Sequence, residues 1–358
     1  MNIVVDGVKY TNFLSAKVRA KMGQLTREFE FVAATRGVAD IPFYAGQRCE
    51  IYDGADKLFT GWIERIDLRS SNKGHTYTLS GRDLMADVID SNLPRVNNLS
   101  APLPTVCQFV LDFLGIEATV VDQAGTAARP FKTVLSPEPE DTAGEFLSTN
   151  ARRKRALLQS DGDGNLVITD GIGTNVETRL VNRIDGEGNN LLDAALTIDH
   201  SQRFGRYSTE LQINMAAGSN AGRNTPPSQI VGQRFFISDP SIRQSRFRTT
   251  AADYNLGADE GNDRPKWEIG LNRAESVKYR VRVPGFRDWD GRLWELNTAP
   301  TVIDEYNGIL DKRMLISEIE YLLDAEGRTT SMTLTDRDAF KAELKIRKDI
   351  ELDGPAAT

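Results

Sequence analysis

The chain has 358 residues and a mass of 39.7 kDa, too long for one ordinary core and enough for two or three domains. Its 44 Lys and Arg against 51 Asp and Glu leave a net charge of −7, with 40% hydrophobic and 27% charged residues: a globular composition, without the apolar run of a membrane span, that disfavours a general polyanion binder while leaving room for a local basic patch. Two cysteines, Cys49 and Cys107, and two histidines, His75 and His200, exclude disulfide scaffolds, zinc fingers and His-rich metal sites.

The first residues, Met1 to Val8, lack the basic start and apolar core of a signal peptide, so the chain is expected to be made and used without classical export. From residue 1 to about 90 the sequence reads as short strands parted by turns. Glu28-Phe29-Glu30-Phe31 alternates, Arg48 to Tyr52 runs into the turn Asp53-Gly54, and Gly61 to Ile66 precedes a turn at Ser70 to Gly74. The pattern predicts an antiparallel barrel or sandwich.

Between about 100 and 180 the period changes. Val106, Phe109, Val110, Phe113 and Leu114 share one helical face, with Pro104 near the start and Gly115 at the end. A second helix is predicted from Asp141 to Arg153, ending in Arg152-Arg153-Lys154-Arg155, the polarity that suits a helix dipole. Two strands, 156–160 and 165–169, are then joined through Asp161-Gly162-Asp163-Gly164. This stretch reads as a small α+β domain.

Comparing the two ends of the chain reveals a repeat. Thr76 to Asp83 matches Ser331 to Asp338 at an offset of 255, with Thr, Leu, Arg and Asp in identical places. Upstream, Ile63 and Ile66 pair with Ile316 and Ile319 at an offset of 253, and the two-residue difference is assigned to the turn holding Gly74 or Gly327. Further back, Leu14, Gly23, Glu28, Phe29 and Phe31 pair with Leu196, Gly205, Glu210, Leu211 and Ile213 at an offset of 182. The excess of 71 residues (253 less 182) falls on a polar, turn-rich stretch from Ala216 to Tyr279, read as an insertion. The expected fold is therefore mainly β with α+β. It comprises a first tube-like barrel at 1–95, an α+β domain from 96–183 together with 216–282, a second barrel from 184–215 together with 283–340, and a tail at 341–358.

Chemistry-bearing motifs are sparse. Asp161-Gly162-Asp163-Gly164-Asn165 begins like a calcium loop, but Leu166 stands where Gly is needed and Ile172 where a bidentate Glu is needed, so a structural hairpin is expected. Gly171-Ile172-Gly173 lacks the third glycine of a dinucleotide fingerprint, and the phosphate-loop pattern G-x-x-x-x-G-K-[ST] does not occur. Packing or surface roles are expected for Cys49, Cys107, His75 and His200, and a solvated helix end for Arg152 to Arg155. No catalytic, cofactor-binding or metal-binding residue is assigned. Residues 201–250 hold seven Arg and two acids, Glu210 and Asp239, a local balance of +5. With no interleaved aromatic motif for bases, Arg243, Arg246 and Arg248 point to an acidic protein rather than to phosphates.

Val283-Pro284-Gly285-Phe286, Asp290 to Asn297, Asn307 to Leu310, Leu315 to Ile319, Leu323 to Gly327 and Asp338-Ala339-Phe340 carry a resemblance, joined by the hairpin from Gly61 to Asp83 and by Leu157 to Gly164. The chain resembles the baseplate hub proteins of Mu-like contractile phage tails, the late control protein D-like group. Leu296 departs from the family's Pro at that place in the G-R-L-W block. The resemblance implies a non-enzymatic homotrimeric ring, without cofactors, that joins tail tube to cell-puncturing spike and adapts three-fold to six-fold symmetry. It also implies other baseplate proteins as partners, DNA only in passage through the channel, and a place in the virion tail baseplate assembled in the bacterial cytoplasm. The repeat agrees, since a duplicated barrel converts three-fold into pseudo-six-fold symmetry. Two rival readings are the hub-like part of a type VI secretion spike complex and a tail-associated cell-wall hydrolase.

Overall fold

In the computed structural model the described residues are 1–72, 74–94, 101–131, 134–137, 140–210, 234–251 and 258–340. Period-two alternation builds the first unit from β1 (Asn2–Val5), β2 (Val8–Tyr10), β3 (Ser15–Lys21), β4 (Glu28–Thr35), β5 (Arg48–Asp53), β6 (Asp56–Trp62), β7 (Arg65–Ser71) and β8 (Gly74–Arg82). On β4, for example, Phe29, Phe31 and Ala33 are buried and Glu30 is exposed. The strands form two layers, β2-β1-β5-β6 and β3-β4-β8-β7. Gly61 to Ile66, expected as one strand, breaks at Ile63-Glu64, where the chain turns from one layer into the other. Gly61 and Gly81 allow that crossing, because a Cβ on either would strike the backbone of Arg82 or Trp62.

The α+β part contains α1 (Ala86–Asp90), α2 (Leu103–Leu114), β9 (Val120–Asp122), α3 (Ala143–Arg153), β10 (Leu157–Ser160) and β11 (Leu166–Thr169). Gly115 closes α2 in the left-handed conformation at φ 69°. Helix α3 starts at Ala143 rather than Asp141 because Thr142 caps it: the Glu145 amide donates to Thr142 Oγ1 at 3.1 Å and the Thr142 amide donates to Glu145 Oε2 at 2.9 Å. Leu103, Val106, Val110, Leu147, Leu158 and Ile168 fill a core of their own. A buried clasp ties this core to the first unit. Asp83 accepts from Ser160 Oγ and, at 2.8 and 3.1 Å, from the amides of Arg27 and Met85. The buried Arg27 side chain donates to the carbonyls of Ser160 and Leu58 at 3.1 and 3.2 Å.

The remainder comprises β12 (Thr174–Asn182), β13 (Asp193–Ile198), β14 (Arg206–Glu210), β15 (Arg234–Ser238), β16 (Phe247–Ala251), α4 (Ala258–Ser276), β17 (Val277–Pro284), β18 (Thr298–Asp304), β19 (Ile309–Asp324) and β20 (Gly327–Asp336). The order β13-β17-β20-β19 repeats β3-β4-β8-β7. Arg82 ends β8 and Arg337 directly follows β20, and Leu79 and Leu334 are fully buried. Strand β19 runs through 16 residues and serves both layers, pairing β18 with its first half and β20 with its second. In the first unit β6 and β7 divide that work.

Three expectations need correction. The two-residue offset difference does not lie in the turns, since Ser71 pairs with Gly74 and Asp324 with Gly327, with two residues between the paired positions in each hairpin. It lies in strand length: Arg82 is eight residues beyond Gly74 and Arg337 ten beyond Gly327. Second, Glu210 is no counterpart of Glu28. Strand β14, expected within 184–215 of the second barrel, pairs instead with β15 and β16 in a separate three-stranded sheet. The counterpart of β4 is β17, so the insertion opens soon after β13, and Leu211 and Ile213 lie outside the described residues. Third, β12 falls within 96–183 but pairs in parallel with β18 of the second unit; the long excursion between the two strands supplies the crossover that a parallel pair requires.

Candidate assembly interface

The two halves meet strand to strand. β19 pairs antiparallel with β3, from Glu318 opposite Lys21 to Leu323 opposite Ala16, making one sheet in the order β13-β17-β20-β19-β3-β4-β8-β7. Alternate residues of the junction face the core, where Ala16, Val18, Ala20, Ile319 and Tyr321 are buried. Those between them form a charged ladder on the open face: Lys21 to Glu318 at 2.7 Å, Arg19 to Glu320 at 3.4 Å and Lys17 to Glu30 at 3.2 Å. The hydrogen bond that Lys21 donates to Glu318 holds its ammonium above its ordinary pKa. Burial pushes Glu318 the other way, yet the Lys21 contact prevails and lowers it. A groove of about 800 Å³ crosses the junction, lined from both halves by Arg19, Lys21, Glu28, Arg280, Arg282 and Glu318.

Among the described residues the sheet ends in β7 and β13. Strand β7 is exposed along most of its length, with Leu68 at 50%, and β13 carries Ile198 at 62% exposure. An edge of this kind offers unpaired backbone groups to another chain. Sequence reasoning did not find the β3–β19 seam. The signal was present, because Lys17-x-Arg19-x-Lys21 and Glu318-x-Glu320 carry opposite charges at strand spacing.

The residues singled out from the sequence do not converge. Cys49 and Cys107 are buried apart in different cores, and burial pushes the Cys49 thiol up to about 12, far from the thiolate a nucleophile requires. His75 pairs at the exposed end of β8, while His200 lies exposed with its ring nitrogen 3.3 Å from Arg203. The Asp161 loop closes on itself: Asp161 accepts from the Asn165 amide at 2.9 Å and from its side chain at 3.0 Å, and Gly162 lies against the Lys57 backbone. Among the described residues no group of three or more His, Cys, Asp and Glu is placed to hold a metal ion. The basic run at the end of α3 differs from a solvated helix end. Arg153 and Lys154 are buried, with cationic groups 5.1 and 4.3 Å from the centre of the Phe131 ring, which absorbs them by cation–π contact.

Similarity to known proteins runs the length of the chain. Residues 1–83 match the N-terminal domain of the Mu phage baseplate assembly protein GpP-like family, and residues 257–343 match the fourth domain of Mu phage baseplate assembly protein GpP. The baseplate hub protein gp44 of Escherichia phage Mu is 23% identical, over 98% of this chain and 92% of that protein. Two solved structures share the fold. The 43 kDa tail protein of prophage MuSo2 from Shewanella oneidensis has a TM-score of 0.78 at 24% identity, covering 94% of this chain and 98% of its own. The tail protein from Neisseria meningitidis MC58 has a TM-score of 0.76 at 19% identity, covering 94% and 96%. Both ends of the chain are thus matched by models of Mu phage baseplate assembly proteins, and nearly the whole chain aligns to a baseplate hub protein.

Proposed function

We propose that this hub protein works as a closed homotrimer that presents six equivalent β units to a six-fold tail tube and three chains to a three-fold spike. One observation carries the reading. Within the chain, an edge of the β19 type pairs with an edge of the β3 type, and the two edges left over, β7 and β13, are of those same two types. Pairing β7 of one chain with β13 of the next repeats the internal junction, and a head-to-tail contact that repeats by rotation closes into a ring. The ladder registers say which residues would meet. Counting from the hairpin tips, Ile319 and Met332 correspond to Ile66 and Leu79, and Ala20 corresponds to Ile198 through the pairs Leu79–Phe31–Ala16 and Met332–Val281–Ala194. Ile66 would then lie opposite Ile198, Leu68 opposite Leu196 and Arg65 opposite Asp199.

The open face of the sheet suits the wall of a wet channel, since Lys17, Arg19, Glu30, Glu320, Arg280 and Arg282 point there and the apolar residues point inward. DNA would meet this face only in passage. The role is structural, without catalysis, metal or cofactor; buried thiols and scattered, exposed histidines support that part. Sedimentation at several ionic strengths tests the ring. The expected species is about 119 kDa, three times 39.7 kDa. A monomer or dimer persisting at micromolar concentration and low salt would overturn the proposal.

A further inference from the structure

We propose that the insertion, through the rim of its β15-β14-β16 sheet, docks an acidic segment of another protein. The +5 balance of residues 201–250 leaves the rest of the chain at −12, since −7 less +5 is −12, and the structure concentrates the positive charge. Arg206 lies with its guanidinium 5.4 Å from the centre of the Phe247 ring, and Arg246 and Arg248 lie 5.1 and 5.4 Å from that of Phe204. Phe247 is 46% exposed, and Arg206, Arg243 and Arg248 are exposed beside it. The carboxylates near these charges include Asp199, Asp239 and Glu268 among the described residues. Asp239 is taken by Arg203 at 2.8 Å and Arg273 at 3.0 Å, two guanidiniums on one carboxylate, which holds it well below the usual carboxylate range despite its burial. Arg246 donates to the carbonyl oxygens of His200 and Ser201, contacts that orient the guanidinium, and it acts electrostatically on Asp199. Arg248 reaches Glu268 only at 3.9 Å. Beside it, Arg152, Arg248, Trp267, Glu268 and Leu271 line a cleft of about 220 Å³ where α3 and α4 meet.

The chemistry selects carboxylates over nucleic acid. A single-strand binder needs free aromatic faces for bases, whereas here guanidiniums occupy the rings. Arginines held by stacking keep their donor forks preorganised, which favours bidentate contact with Asp or Glu side chains. This inference does not depend on ring closure, because every residue it uses lies within one chain.

The test is fluorescence anisotropy of a labelled decaglutamate peptide with the full-length protein at 50 and 300 mM NaCl, alongside a labelled DNA ten-mer. Saturable peptide binding is expected at 50 mM, weakened about ten-fold or more at 300 mM and tighter than DNA binding. Arg206→Glu and Arg248→Glu should each weaken it at least about five-fold, with melting temperature and sedimentation unchanged, whereas Lys9→Glu, on the exposed strand β2, should not. Absence of saturable binding at 50 mM would overturn the proposal. So would equal loss with Lys9→Glu, insensitivity to both arginine reversals, or tighter binding of DNA.

Discussion

The proposed ring can be attacked at its edges without touching the core of a single chain. Leu68 is 50% exposed and Ile198 62%, so covering what remains of each on assembly is worth about 1 to 2 kcal/mol. An Asp at either place forfeits that gain and must also be desolvated, adding roughly 1 to 3 kcal/mol. A closed trimer holds three such junctions, so each substitution counts three times, for a total of about 6 to 15 kcal/mol. At about 1.4 kcal/mol per factor of ten, the trimer constant should fall by four orders of magnitude or more. Leu68→Asp and Ile198→Asp are therefore expected to sediment as monomers at concentrations where the unaltered chain is trimeric, with unchanged circular dichroism. Val8→Asp, at a 53% exposed position on β2 away from both edges, should remain trimeric. Retention of the trimer by both edge variants would refute the β7–β13 joint, and dissociation by Val8→Asp would show that any surface charge suffices.

Other consequences concern the core and the clasp. Leu79→Ala and Leu334→Ala, both at fully buried positions of equivalent strands, should each cost about 2 to 5 kcal/mol in denaturant unfolding; a cost below about 1 kcal/mol at either would argue against a packed core there. Burial raises Asp83 from 3.8 to about 7, against the opposing hydrogen bonds from Ser160 and the Arg27 amide. The folded state thus favours the protonated acid, and this stabilisation is full below the unfolded pKa and is lost as pH rises through about 7, by at most ~1.4 kcal/mol per pH unit. Asp83→Asn should flatten the stability profile between about pH 4 and 7, and an unaltered slope would contradict this account. Treatment with a chelator should leave the melting temperature unchanged; a shift of several degrees reversed by one specific ion would demonstrate a structural metal.

Local signals were legible wherever one strand or helix carried them. The stripe on α2 ended at Gly115 as its pattern required, and the Thr142–Glu145 box fixed the start of α3 by two hydrogen bonds within the segment. The repeat was legible in the β7–β8 and β19–β20 hairpins because a hairpin is local in sequence. It was misread at Glu210, since a short alternating strand resembles any other and nothing local distinguishes β14 from a counterpart of β4. The seam was harder still. Arg19 and Lys21 meet Glu320 and Glu318 across some 300 residues, and only the closing of the whole sheet selects that pairing from many.

Covalent duplication also explains how a six-fold surface and a three-fold one can coexist in the proposed ring. The sheet strands must keep their registers in both halves, because a slip of one residue would turn the buried side of β3 or β19 outward, and this constraint preserves the six-fold likeness. Segments hung outside the sheet carry no such constraint. The α+β core is clasped through Asp83 and Arg27 to the first half, whereas the arginine-bearing insertion interrupts the second between β13 and β17. Each would therefore recur three times around such a ring, in which the sheet would recur six times. Six separate chains would repeat every appendage six times, so fusing two units in one chain is what allows the outer surface to be addressed with three-fold symmetry while the sheet keeps six-fold likeness.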